Sequence, residues 1–226
     1  MIIYKKVSKI YPGDLVALED IDLHIKGGEF VSIVGQSGAG KSTLLKLLYA
    51  EEKPTMGDVF FDRKNIVNLK NRLLPYHRRN IGTVFQDFKL LPKRTLFENV
   101  AFAMEVAGKS NKEIESDVAQ ILDIVGLESK MDKYPCEVSG GEQQKAALAR
   151  ALVNKPKVLI ADEPTGNLDP ISTWDIVQLL TKINEFGTTV ILATHNKGIV
   201  DELNRRVILI DKGKVAKDTE HGKYCI

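Results

Sequence analysis

Short apolar runs recur along the chain, and each is followed closely by polar residues. They lie at residues 30–34, 158–161, 189–193 and 207–210. Continuous runs of this length are typical of strands that are buried on both faces of a parallel sheet. The first three runs lead directly into polar motifs, and ligands of open α/β sheets bind at the carboxyl ends of the strands. The pattern therefore predicts an α/β fold with a binding site at that edge.

Helical periodicity lies between these runs. Ser110 and Glu113 have the spacing of a capping box, and Gly126 is a suitable stop for the helix that follows. The apolar face of this helix consists of Val118, Ile121, Leu122 and Val125. Asp169 precedes a first-turn proline and predicts the start of another helix. Its apolar residues are Ile176, Leu179, Leu180 and Ile183.

A glycine-rich stretch follows the first apolar run. It consists of Gly35, Gln36, Ser37, Gly38, Ala39, Gly40, Lys41, Ser42 and Thr43. This stretch fits the phosphate-loop pattern G-x-x-x-x-G-K-[ST], in which glycines let backbone N–H groups turn towards an anion. We expect Lys41 to reach the β- and γ-phosphates and Ser42 to bind Mg²⁺. The alternative is a simple strand–helix turn, and the position between a predicted strand and a predicted helix favours nucleotide binding.

Two further strand ends carry side chains that suit hydrolysis. Residues 158–161 lead into Asp162 and Glu163, and adjacent acids are costly to desolvate without a cation or a proton-transfer role. Asp162 suits Mg²⁺ coordination, and Glu163 is placed to polarise a water that attacks the γ-phosphate. His195 follows the next strand and is expected to contact that phosphate and the water. A solvated acid or a structural histidine is the alternative in each case, and the phosphate loop favours catalysis.

Residues 138–144 read VSGGEQQ and contain a second candidate anion site. Ser139 and Glu142 have the spacing of a capping box that opens a helix. Gly140 and Gly141 leave backbone amides and the helix dipole available to an anion. Taken alone, the motif is equally consistent with an ordinary helix cap.

These motifs together resemble the ATP-binding cassette (ABC) family, whose signature sequence is similar to residues 138–144. Gln86 resembles the glutamine of the family's Q-loop, and Asp169 lies in a stretch that resembles the D-loop. His195 matches the switch histidine. Tyr11 is found where the family places an aromatic ring against adenine. The order and spacing of the motifs agree over essentially the whole chain.

The resemblance implies a P-loop NTPase with a RecA-like core, an antiparallel β subdomain and a helical subdomain. We expect one ABC ATPase domain over residues 1–226, with the helical subdomain at about residues 88–155. The implied cofactors are ATP and Mg²⁺. The implied metal site consists of Ser42, Gln86 and Asp162, and the implied catalytic residues are Lys41, Glu163 and His195. In this family the signature of one subunit caps the ATP on another, so ATP binding should produce a homodimer.

The composition limits the possible partners. Hydrophobic residues make up 43% and charged residues 27% of the chain, which argues against disorder. A net charge of +2 does not indicate a nucleic-acid partner, and Cys136 and Cys225 are not spaced as metal ligands. The N-terminus lacks the order of a signal peptide, and no apolar run approaches the ~20 residues that span a bilayer. We therefore expect a protein peripheral to the membrane, whose integral subunit is another chain.

The region around Gln86 has a closer resemblance within the family. Residues 84–92 and 98–106 are similar to the FtsE-type cell-division ATPases, as are residues 183–189. This implies an FtsX-type membrane partner, signalling to peptidoglycan hydrolases, and a location on the cytoplasmic face of the bacterial plasma membrane at the division site. Lipoprotein-releasing and macrolide-export ATPases share the architecture and remain the alternative. Soluble ABC proteins that act on DNA or ribosomes would need a coiled-coil insertion, zinc sites or tandem cassettes, which this sequence lacks.

The segment after Gln86 is a candidate docking site for the membrane subunit. Its apolar residues are Phe88, Leu90 and Leu91. They suit either binding of a partner helix or packing of the helical insertion onto the core. A basic stretch lies just upstream and is expected to face acidic partner or lipid groups. It consists of Arg72, His77, Arg78 and Arg79.

Overall fold

A computed structural model describes residues 1–224 of the chain. Contacts between residues divide the chain into two compact units. The first unit consists of Met1–Arg78 together with Asn184–Ile226, and the second unit is Arg79–Ile183. Cys136 is exposed, and Cys225 lies outside the described residues.

The secondary structure alternates between strands and helices. The strands are β1 (Ile2–Tyr11), β2 (Leu15–Ile25), β3 (Phe30–Val34), β4 (Met56–Phe61), β5 (Lys64–Asn65), β6 (Ile81–Phe85), β7 (Val158–Asp162), β8 (Thr189–Ala193), β9 (Arg206–Asp211) and β10 (Lys214–Thr219). The helices are α1 (Lys41–Leu48), α2 (Leu74–Arg78), α3 (Leu96–Ala107), α4 (Asn111–Ile124), α5 (Gly140–Leu152), α6 (Pro170–Glu185) and α7 (Lys197–Leu203). Short 3₁₀ turns occur at Asn71–Leu73, Glu128–Lys130 and Pro135–Glu137.

The first unit contains an antiparallel sheet with the strand order β2-β1-β4-β5. One face of β1 is apolar and buried, with Ile2, Tyr4 and Val7 pointing inwards. The Tyr4 hydroxyl donates to the Leu44 carbonyl at 2.9 Å and so ties this sheet to α1. Burial raises the pKa of Tyr4 above its usual value, so the hydroxyl remains a donor.

The first unit also contains parallel strands that lie side by side. Strand β3 pairs in parallel with β8 on one side and with β9 on the other, and β10 runs antiparallel to β9. Every residue of β3 and β8 is buried. The predicted strands at residues 30–34 and 189–193 are confirmed, and their burial on both faces explains why all but Ser32 and Thr189 are apolar.

The second unit combines the parallel pair of β6 and β7 with a helical cluster. Helices α3, α4 and α5 bury apolar side chains against one another, among them Val100, Val118 and Ala146. The predicted capping boxes at Ser110 and Ser139 are confirmed. Sequence analysis missed α3, which begins with a third capping box at Thr95. The Thr95-x-x-Glu98 spacing was a readable signal for it.

Arg78 and Arg79, in the basic stretch upstream of β6, bond to carbonyls at helix ends, and that they also face acidic partner or lipid groups stays a prediction. Arg78 donates to the carbonyls of Tyr49 and Ala50, just past the C-terminus of α1, at 3.1 and 3.0 Å. Arg79 donates to the Val106 carbonyl in the last turn of α3 at 2.7 Å. Such carbonyls lack helical partners and carry partial negative charge, which favours cationic donors. Arg72 is exposed.

A fourth member of that stretch, His77, is buried within the first unit, so the prediction that it faces acidic partner or lipid groups is wrong. Its Nε2 lies 2.7 Å from the Leu48 carbonyl, and its ring packs edge-on against Phe61 with 5.2 Å between centroids. Desolvation lowers the pKa of His77 below its usual 6.5 and outweighs the opposing backbone hydrogen bond.

This environment predicts a loss of stability in mild acid. Between the lowered native pKa and the unfolded value of 6.5, the unfolded chain binds a proton that the native protein does not. The free energy of unfolding should therefore decrease as the pH falls from 6.5 to the native pKa of His77. Urea unfolding on both sides of this window tests the prediction. His77→Gln should lose the dependence, the exposed control His221→Gln should keep it, and equal slopes in both variants would contradict it.

Candidate functional site

The glycine-rich loop between β3 and α1 has a conformation that requires glycine. Gly35 and Gly40 have φ values of 152° and 109°. A Cβ atom on Gly35 would lie 2.2 Å from the Ile210 carbonyl oxygen, and one on Gly40 would lie 2.5 Å from that of Ala17. Larger residues would therefore displace the loop from the strands that support it.

The N-terminus of α1 has no cap of its own. Gly40 provides no side-chain hydrogen bond, and the first turn contains no acid. Helices α3, α4 and α5 each begin with a Ser or Thr and a Glu that satisfy two N–H groups, those of the N-cap and N3 residues, and leave the others of the first turn to other partners. An uncapped helix end with its positive dipole is suited to an anion.

The side chains of the loop are arranged around this helix end. The Lys41 ammonium donates to the carbonyls of Gly35 and Gln36 at 2.8 and 3.1 Å, which holds it over the loop. Ser42 is exposed and Thr43 is half-buried. The exposed loop residues are Gln36, Ser37 and Gly38, whereas Ala39 is buried.

His195 lies at the same edge of the first unit as the phosphate loop. The backbone N–H of Thr194 donates to the Ile33 carbonyl at 3.1 Å, so the end of β8 lies beside the end of β3. His195 is exposed. The structure therefore places the predicted switch histidine and the predicted loop on neighbouring strand ends.

Tyr11 ends β1 and is half-buried. The Lys9 ammonium lies 4.9 Å from the centroid of the Tyr11 ring, and Glu52 accepts a hydrogen bond from Lys9 at 2.8 Å. This cation–π contact restrains the ring that is predicted to stack on adenine.

The second unit brings together the Q-loop, the end of β7 and the D-loop. Phe85 is paired with Asp162, so Gln86 and Glu163 leave adjacent strands at the same level. The Gln86 side-chain amide donates to Asn167 Oδ1 at 3.1 Å, and the Asn167 amide donates to the Gln86 carbonyl at 3.2 Å. A Cβ on Gly166 would lie 2.7 Å from Gln86 Nε2, so a larger residue there would require the Gln86 side chain to move.

The signature sequence opens α5 as a complete capping box. The Ser139 hydroxyl accepts from the Glu142 backbone N–H at 3.3 Å, and the Glu142 carboxylate accepts from the Ser139 N–H at 2.9 Å. Gly141 has no room for a side chain, because its Cβ would lie 2.6 Å from Ser172 Oγ. Asp169 caps α6 by accepting from the N–H groups of Ile171 and Ser172, both at 3.0 Å.

Sequence analysis missed two polar residues of α5 that hold these loops. Gln144 is fully buried and donates to the Pro164 carbonyl at 2.6 Å, just after Glu163. Arg150 donates to the carbonyls of Phe88 and Lys89 at 2.9 and 2.6 Å. Burial lowers the pKa of Arg150. Gln144 is the last residue of the signature stretch, but the motif gave no sign of its acceptor, and Arg150 had no signal beyond its place in a predicted helix.

Docking of a partner helix and packing of the helical insertion were the two interpretations of the segment after Gln86, and its residues differ in which one they fit. Leu90 packs against the helical cluster, which confirms packing for that side chain. Phe88 and Leu91 are half-buried. Phe88 also has a left-handed backbone, with φ of 57°, and its ring lies close to Gly140. The side chain of the buried Asn99 donates to the Leu91 carbonyl and accepts from its N–H, which fixes the end of the segment.

Among residues 1–224, none of the helices combines the length and apolar character needed to cross a bilayer.

Comparisons with known proteins agree with these motifs. The family described as ABC transporter matches residues 18–166. The cell division ATP-binding protein FtsE of Bacillus subtilis is 51% identical over 224 residues, which cover 99% of this chain and 98% of that protein. FtsE of Escherichia coli is 43% identical over 221 residues, covering 98% and 100%.

Solved structures give the same result. A dimeric ATP-binding cassette in a post-hydrolysis state with ADP and Pi has a TM-score of 0.88 and 36% identity, covering 99% of this chain and all of that one. A dimeric bacterial ABC transporter cassette has a TM-score of 0.89 and 38% identity, with the same 99% and 100% coverage. The chain therefore belongs to the ABC transporter family and is one of its ATP-hydrolysing P-loop cassettes.

Proposed function

We propose that this chain is the ATPase subunit of a membrane complex that acts in bacterial cell division. The observation that carries this proposal is the identity of 43–51% to FtsE proteins over nearly the whole length of both chains. Similarity of that extent includes the segment after Gln86, where the cassette is proposed to receive its partner. The chain would form one ABC domain over residues 1–226, with a helical subdomain at about residues 88–155.

ATP would be held by the loop of residues 35–43 and by Tyr11. The uncapped N-terminus of α1 attracts the phosphates, and Lys41 supplies a positive charge to the β- and γ-phosphates. Tyr11 offers a ring face to adenine. These residues belong to the first unit of the structure.

Mg²⁺ is the implied metal, and the proposed donor set fits its chemistry. Ser42, Gln86 and Asp162 offer a hydroxyl, an amide carbonyl and a carboxylate, and Mg²⁺ prefers oxygen ligands of these kinds. When bound, the ion would neutralise charge on the phosphates. Glu163 would orient and polarise the attacking water, and His195 would contact the γ-phosphate.

The signature would act on a second copy of the chain. Residues Ser139, Gly140, Gly141 and Glu142 present a helix N-terminus, and this end would cap the γ-phosphate of ATP held by the partner. Asp169 of the D-loop would lie at the same dimer interface. The resemblance to dimeric cassettes supports dimerisation, and the head-to-tail arrangement is the proposal.

The complex would also require an integral membrane subunit of the FtsX type. We infer that the cassette is peripheral to the cytoplasmic face of the plasma membrane at the division site. ATP-driven closure of the dimer would then be transmitted across the membrane to peptidoglycan hydrolases. No nucleic-acid partner is proposed.

Phe88→Asp tests the coupling to the membrane subunit. The variant should fold and bind ATP, because Phe88 is only half-buried and lies outside the phosphate loop. It should lose the co-purifying membrane subunit and fail to support septation, because a charge replaces an apolar anchor. Circular dichroism, ATP binding and co-purification are measured on the same preparations.

The control is Phe186→Asp, since Phe186 is 89% exposed and far along the chain from the Q-loop segment. This variant should retain the membrane subunit. If Phe88→Asp unfolds, Phe88 is a packing residue. If it folds and still co-purifies with the subunit, docking occurs elsewhere and the proposed site is rejected.

A further inference from the structure

The signature helix carries an acid at the end that is proposed to receive a phosphate. Glu142 lies in the first turn of α5, and its carboxylate accepts from the Ser139 N–H at 2.9 Å. This negative charge stands beside the N–H groups and positive dipole end that would attract the γ-phosphate. Like charges repel at short range, so an uncompensated carboxylate would oppose docking of ATP.

Lys130 brings the opposite charge to Glu142. It ends the 3₁₀ turn Glu128–Lys130, and its ammonium forms an ion pair with Glu142 Oε1 while Oε2 bonds to Ser139. The side chains of Lys130 and Glu142 are 43% and 24% exposed, so solvent screens their attraction only in part. The hydrogen bond from Lys130, followed by that from Ser139, lowers the pKa of Glu142. The carboxylate is therefore ionised at neutral pH.

We propose that Lys130 neutralises Glu142 so that the N-terminus of α5 can accept the triphosphate of a nucleotide bound to a second copy of this chain. The inference rests on the proposed head-to-tail function of the signature. Lys130 acts through Glu142 and is a positioning residue, which orients the carboxylate towards Ser139 and cancels its charge.

Helix α4 provides a matched control for this ion pair. Ser110 and Glu113 form the same kind of capping box, and the Lys109 ammonium lies 2.9 Å from Glu113 Oε1. The chemistry of the two ends is alike, but no nucleotide contact is proposed for α4. Lys109→Met thus removes an equivalent ion pair away from the proposed site.

The experiment measures the ATP concentration that gives half-maximal dimer formation in a Glu163→Gln background, where hydrolysis does not deplete ATP. Lys130→Met should raise this concentration about fivefold, as expected for one uncompensated charge close to a polyphosphate at a partly exposed site. ATP affinity of the monomer and the melting temperature should stay unchanged. Lys130→Arg should restore dimer formation, and Lys109→Met should match the parent protein.

Charge compensation also requires that Lys130 lose its importance when residue 142 is neutral. In a Glu142→Gln background, Lys130→Met should change the dimer midpoint by less than about twofold, since the two substitutions act on one interaction. An equal loss in both backgrounds, no loss in either, or an equal loss in Lys109→Met would overturn the inference. Ser139→Arg separates the two hypotheses: if it still dimerises with ATP, the head-to-tail function itself fails.

Discussion

Glu163→Gln should bind ATP with near-native affinity but hydrolyse it at least about a hundredfold more slowly, the usual size of a lost general base. Glutamine preserves the size of the side chain but cannot polarise the attacking water as a carboxylate does. Glu163 follows β7 directly and has a φ of 49°, in the left-handed region that is unfavourable for a residue with a Cβ.

Phosphate release and nucleotide binding, measured on the same preparation, test this expectation. The variant should also accumulate as a dimer with Mg-ATP, because slow hydrolysis leaves the ATP-bound dimer closed. Size-exclusion chromatography would detect this dimer. Asp211→Asn is the control, since Asp211 is an exposed acid that ends strand β9. It should turn over at the parental rate. Near-parental turnover in Glu163→Gln would remove Glu163 from the mechanism.

The parts of the fold that could be predicted from sequence are those determined by local chemistry. Strands β3 and β8 were found at their observed bounds because both are buried throughout and all but one residue of each is apolar. The boxes at Ser110 and Ser139 were found because a capping box involves residues only three apart. Such signals depend on spacing along the chain and need no knowledge of tertiary contacts.

The supports of the candidate site could not be predicted in the same way. Gln144 reaches the Pro164 carbonyl 20 residues away, and Arg150 reaches Phe88, 62 residues away. A polar residue on an alanine-rich helix gives no indication of its distant acceptor. The acceptors of the basic residues before β6 were missed for the same reason, since Arg78 donates to the carbonyl of Tyr49, 29 residues upstream. The roles of Lys41, Glu163 and His195 stay predictions that rest on motif and placement.

Lys41→Ala should weaken ATP binding about 10- to 100-fold, the range expected when a charge-assisted hydrogen bond is lost, and should abolish hydrolysis. Lys41 is the first residue of α1, and its ammonium is held over the loop by the carbonyls of Gly35 and Gln36. The ammonium is thus already oriented where the β- and γ-phosphates are proposed to lie. Alanine keeps the helix, because it is the strongest helix former, and removes the ammonium together with its hydrogen bonds to these two carbonyls.

Lys46→Ala is the matched control on the same helix. Lys46 lies in the last turn of α1, 38% exposed, and forms an ion pair with Glu51 at 3.4 Å. Its loss removes the same charge from the same element, so both variants have an equal effect on net charge and helix propensity. Isothermal titration with a non-hydrolysable ATP analogue and phosphate release should give parental values for Lys46→Ala only. If both variants lose affinity equally, the effect is one of overall charge or helix stability, and Lys41 does not contact the phosphates.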